Sequence, residues 1–137
     1  MDPAAFTLHD LADFPIVRLS GRGLPRGYGP QWAAEMEALL RQDTPFVLVF
    51  LDTVEDEAQE DRKLRMLWLK QHKKPLATRC RGIVSIEPDK AMRLLKRTQG
   101  AALALAFGLT LKIVPGREEA ERMARSLLAG AVPADDE

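Results

Sequence analysis

The residues best suited to chemistry stand in one short stretch, Ser20 to Gly29 (SGRGLPRGYG), which holds four glycines, two arginines and a tyrosine. Arginine forks and the free backbone N–H groups at the start of a helix both attract carboxylate or phosphate, so Arg22, Arg26 and Tyr28 form a candidate site for a small anion. The glycine spacing does not fit a nucleotide. Gly21, Gly23 and Gly27 give G-x-G-x-x-x-G, whereas the dinucleotide fingerprint needs G-x-G-x-x-G and the Walker loop ends on a lysine. The alternative is a connecting loop that turns an edge strand into a helix. Both readings stand on sequence alone.

The rest of the chain is poorly equipped for catalysis. Cys80 is the only cysteine and His9 and His72 the only histidines. That excludes an internal disulfide and leaves little material for zinc; no metal and no cofactor are expected. As a nucleophile Cys80 has no base that the sequence identifies, and a lone cysteine beside an apolar strand is more often a small hydrophobe. Consecutive acids such as Asp56 and Glu57, or Glu118 and Glu119, fall on different helix faces and suit helix N-termini better than paired proton transfer. No G-x-S-x-G pattern surrounds Ser20, Ser85 or Ser126.

Lysines and arginines balance acids at 20 each, yet the charges are segregated. Asp52, Glu55, Asp56, Glu57, Glu60 and Asp61 make an acidic block; between Arg62 and Arg97 twelve lysines and arginines face only Glu87 and Asp89. A cationic middle of this kind could attract nucleic acid, but no RNA- or DNA-binding module accompanies it, and a solvated surface partnered by the acidic block is the simpler reading. The longest uncharged run, Thr98 to Leu111, is too short to span a bilayer, so no membrane insertion is expected. MDPAAFTLHD carries acids and no basic stretch, unlike a secretory signal, which points to a cytoplasmic protein.

These residues are positioned by alternating strands and helices. Two short strands, 6–11 and 15–21, read as an edge hairpin. Trp32, Met36, Leu39 and Leu40 then repeat at i, i+4, i+7 and i+8 after Pro30, as in an amphipathic helix. PFVLVFL, from Pro45 to Leu51, is a continuous apolar run of the kind covered on both faces of a sheet. A charged helix over 55–72 follows, limited or bent by Pro75. Then come the strand 82–87, a helix opened by Pro88 and Asp89 and interrupted at Gly100, a strand over 109–114 and a closing helix over 117–129. With 137 residues and no long linker, the expectation is a single α/β domain over 1–130, with a polar tail at 131–137. The order β-β-α-β-α-β-α-β-α implies a mixed, mainly parallel sheet with an N-terminal antiparallel hairpin and helices packed on it.

Three stretches carry a family resemblance: the hairpin leading into SGRGLPRGYG, the LVFLDTVED junction, and RCRGIVSIEPD followed by TLKIVPGREEAERMARSLL. In these the chain resembles the STAS-like domains, in particular bacterial proteins described as anti-sigma-factor-antagonist-like. In signalling members of that family a serine or threonine just after the central strand is phosphorylated by a partner kinase to switch binding, which the resemblance places at Thr53. The family's Asp-Ser-Ser-Gly-type signature is absent, however, and acids at 52, 55, 56 and 57 would repel an added phosphate; Thr53 reads more simply as an N-cap or strand-end residue. The resemblance implies a non-catalytic module that engages a protein partner. LRMLWLKQH and AALALAFGL are apolar on more than one helix face, which suits homodimer packing. Some relatives resemble lipid-carrying folds, so the alternative is a carrier or sensor of a small anionic or lipid-like ligand near residues 20–32, with the apolar helices lining its pocket.

Overall fold

A computed structural model describes residues 2–131; the tail expected over 131–137 therefore lies almost wholly outside the described residues. Strands β1 (His9–Asp13), β2 (Ile16–Ser20), β3 (Phe46–Asp52), β4 (Cys80–Ile86) and β5 (Leu111–Val114) form one sheet in the order 1-2-3-4-5. β1 and β2 are antiparallel and the remaining pairs parallel, as expected from the sequence. The helices are α1 (Gly29–Leu40), α2 (Gln59–Gln71), α3 (Lys73–Arg79), α4 (Lys90–Phe107) and α5 (Arg117–Leu128).

Sequential strand order has a direct consequence. Successive right-handed crossovers that advance in one direction place all their helices on the same face of the sheet. Accordingly α1, α2 and α3 pack with Val17, Leu19, Phe46 and Leu48 in one core, and α4 lies along β5 on that side. Among the described residues only α5, which follows the last strand, covers the other face. It presents Ala120, Met123, Ala124 and Leu127 to Val47, Val49, Val84 and Val114. β3 shows why its sequence is continuously apolar: Phe46 and Leu48 belong to the first core, Val47 and Val49 to the second.

Several boundaries differ from the sequence reading; among them, β4 begins at Cys80 instead of Gly82 and β5 at Leu111 instead of Leu109. β1 begins at His9 instead of Phe6, after a 3-10 turn over Pro3–Ala5. The charged helix begins at Gln59, because the acids before it are drawn into tertiary contacts, and it ends at Gln71. Pro75 sits in the first turn of the separate α3, where a missing N–H breaks no helical bond. α4, by contrast, runs through Gly100 without interruption. A Cβ at that glycine would stand 2.4 Å from Leu111 Cδ2, so glycine is what lets the helix approach β5.

Candidate functional site

The glycine-rich stretch and the acidic block meet each other. Both follow neighbouring parallel strands, β2 and β3, and so emerge side by side at the carboxyl end of the sheet. In doubly wound sheets a ligand crevice opens there where the strand order reverses; this order does not reverse, and the two loops close together. Asp52 accepts from the Ser20 hydroxyl at 2.9 Å and from the Arg22 N–H at 2.8 Å. Asp61 accepts from the N–H groups of Gly27 at 2.8 Å and Gly29 at 3.0 Å, which places a buried carboxylate at the N-terminus of α1. Gly21 makes the approach possible, since a Cβ there would lie 2.5 Å from the Val54 nitrogen.

The three candidate anion-site residues join this clasp. Arg22 pairs with Glu55 at 3.3 Å, both side chains largely exposed, and Arg26 reaches the Asp56 carbonyl at 3.5 Å. Tyr28 is buried, and its hydroxyl donates to Glu57, which also accepts from Arg65 at 3.0 and 3.2 Å. Burial, and then the bond to Glu57, push the Tyr28 phenol up to about 12. The partners within reach of these side chains are thus the chain's own acids and carbonyls.

Thr53 is exposed immediately after β3, six residues before α2 begins, which makes it a strand-end residue; the cap position of α2 is Ala58. The Lys96 ammonium donates to its hydroxyl at 2.6 Å and to Glu87 at 2.8 Å. Three of the four acids expected to surround Thr53 are already engaged: Asp52 by Ser20, Glu55 by Arg22, Glu57 by Tyr28 and Arg65. The cationic middle is similarly committed in part. Arg79 donates to the carbonyls of Leu40 and Gln42, Arg93 to those of Glu87 and Pro88, and Arg97 to that of Ile113. Cys80 is buried in the core of the α1 face, and burial pushes its thiol up to about 11, an unreactive state at neutral pH.

An apolar recess lies elsewhere, between α4 and the sheet. This chamber of about 140 Å³, partly open to solvent, is lined by residues of α1, α2, α3, β3, β4, α4 and β5, with Met36, Leu48, Ile83, Leu103 and Phe107 among its walls. Its bordering residues run from β1 to β5, strands that stand about 19 Å apart at the usual inter-strand spacing. Large side chains build it. Trp32 and Trp68 meet edge to face at 5.2 Å between α1 and α2, and Trp68 stacks on His72 at 4.2 Å at the end of α2. Only two residues with charged or titratable groups border the chamber, Arg65 and His9.

His9 is a site residue that the sequence reading left unpartnered in an edge strand. Its ring is fully buried, and Nδ1 lies 2.9 Å from Glu35 Oε1. Glu35 also accepts from the N–H groups of Thr7 (3.0 Å), Leu8 (3.1 Å) and His9 (2.9 Å) and from Gln31 Nε2 (2.7 Å). Burial alone would push this carboxyl up; the bonds from His9, Gln31 and the backbone outweigh it and hold the group down at about 2. The signal was present in the spacing. His9 shares the inward face of β1 with Leu11, and Glu35 falls on the same α1 stripe as Trp32, Met36 and Leu39, so two polar residues on core-facing positions needed each other.

Among the described residues no helix is long and apolar enough to cross a membrane. No protein-family model matches the chain, and neither the curated proteins nor the solved structures contain a match to it.

Proposed function

We propose that this protein is a non-catalytic, STAS-like binding module that holds a small apolar molecule in the chamber beneath α4. The observation that carries the reading is the chamber itself. Its walls are almost wholly apolar, so water held there forgoes hydrogen bonds, and an apolar guest that displaces it gains buried apolar contact. Cavities of about 150 Å³ with aliphatic and aromatic walls take up benzene-sized molecules. The α/β order agrees with the resemblance carried by the sequence. Binding is favoured over turnover because the bordering side chains include no serine, threonine, cysteine or acid to act as a nucleophile.

Titration with toluene, followed by methyl NMR of Met36, Leu48 and Ile83, tests this. Saturable shifts at those methyls, abolished when Ala104→Leu fills the wall, are the expected result. Unshifted methyls up to the aqueous solubility limit would overturn it.

A second reading is favoured by the outer face of α4, where Leu94, Leu95 and Leu105 are exposed, Leu105 at 84%. An apolar stripe along one helix is complementary to itself across a two-fold axis, so the occupant proposed is a second copy of the chain. Sedimentation at tens of micromolar should give a dimer that Leu105→Glu dissociates; a strict monomer refutes the dimer.

A further inference from the structure

We propose that the molecule taken into the chamber is an apolar body bearing a single O–H group, a phenol or small alcohol, whose hydroxyl donates to Nε2 of His9. This rests on the reading of the chamber as a ligand site and adds the chemistry of recognition. Nε2 is buried and has no hydrogen-bond partner among the described residues, while His9 is one of the few polar residues bordering an otherwise apolar space. The tautomer follows from Glu35. A carboxylate surrounded by N–H donors can only accept, so Nδ1 carries a proton; with the ring in its neutral form, as the proposal requires, Nε2 presents a lone pair. Phe6 packs edge-on to the ring at a centroid distance of 6.5 Å, and six donors hold in place the Glu35 carboxylate to which Nδ1 is bonded.

The same geometry discriminates between ligand classes. An unpaired buried acceptor is expensive, and a hydroxyl supplies its missing donor whereas a hydrocarbon or an ether does not. A carboxylate would bring a second acceptor toward the lone pair of Nε2. The other charged residue at the border, Arg65, is already neutralised by two bonds to Glu57, which removes the incentive for an anion there as well. A neutral hydroxyl compound satisfies both ends.

Phenol and benzene, which differ by one oxygen, separate the two ideas. Binding to the full chain is followed by calorimetry and by nitrogen NMR of labelled histidine. Phenol should bind at least about tenfold tighter than benzene, equivalent to ~1.4 kcal/mol, and move the His9 Nε2 resonance while leaving His72 unshifted. His9→Asn keeps a donor near the Nδ1 position for Glu35 and deletes Nε2; it should erase the preference for phenol and leave benzene binding unchanged. Equal affinities with an unmoved Nε2 resonance would sink the hydroxyl anchor and leave the chamber reading intact. If neither compound binds, the chamber reading fails too. Should His9→Asn not fold, the wild-type affinity ratio and resonance decide the matter.

Discussion

The two faces of the sheet are built by opposite means. On the α5 face, alanines at 120 and 124 let the helix lie close on β-branched strand residues Val47, Val49, Val84 and Val114, and the edge is closed by Arg18, buried between Glu121 and Asp13. On the other face, crossover helices α1 to α4 crowd over the same strands with tryptophans and phenylalanines between them. α4 buries only Phe107 of its apolar residues and leaves four leucines exposed. Small and β-branched side chains close the α5 face, whereas on the α4 side an apolar recess stays open between helix and sheet. The two faces thus differ in how completely their helices cover the sheet.

The sharpest way to break that contrast is one truncation on each face. Leu127→Ala removes a side chain 2% exposed in the α5 core and should cost about 2–5 kcal/mol in urea unfolding. Leu103→Ala, at the chamber wall and 42% exposed, should cost less than about 1 kcal/mol, since much of the methyl surface it loses was not buried. Equal costs would mean that the two faces are packed alike.

Acid distinguishes the faces next. Glu35 on the chamber side is depressed from 4.5 to about 2. A depressed carboxyl contributes stability that is fully present above its unfolded value and is lost as pH falls through its folded one, here between roughly pH 5 and pH 2, on the order of 3 kcal/mol in all. Amides of β1 and α1 should therefore lose exchange protection before those of α5, and Glu35→Gln should flatten this pH dependence. Simultaneous loss on both faces in the wild type would deny Glu35 a local role.

Local pattern made the α5 face legible. The spacing of Ala120, Met123, Ala124 and Leu127 and the unbroken run through β3 each need only their own neighbours in sequence to be read. The chamber face resists such reading because its determinants join distant positions. His9 and Glu35 are 26 residues apart, and Asp52 meets Arg22 across 30. The acids of DTVEDE resemble a helix first turn, but the carboxylates of Asp52, Glu55 and Glu57 are taken by Ser20, Arg22, Tyr28 and Arg65, and the helix starts later. Gly100 reads as a helix break because intrinsic propensity penalises it; contact with Leu111 reverses the outcome.

The smallest effect belongs to the rim where the glycine-rich and acidic loops meet, which neither face contains. Arg22 and Glu55 are 66% and 62% exposed, so their ion pair is screened by water and salt, while the Arg22 backbone keeps its bond to Asp52 whatever the side chain. Arg22→Ala should change stability by less than about 0.5 kcal/mol and leave phenol and toluene binding untouched. It also asks whether the loop binds anions. Asp52 and Asp61 already occupy the N–H groups of Arg22, Gly27 and Gly29, so a phosphate would have to displace them as well as Glu55. Inorganic phosphate should consequently leave the amide resonances of these three residues unmoved. Saturable shifts that disappear in Arg22→Ala would extend ligand binding from the chamber to the rim.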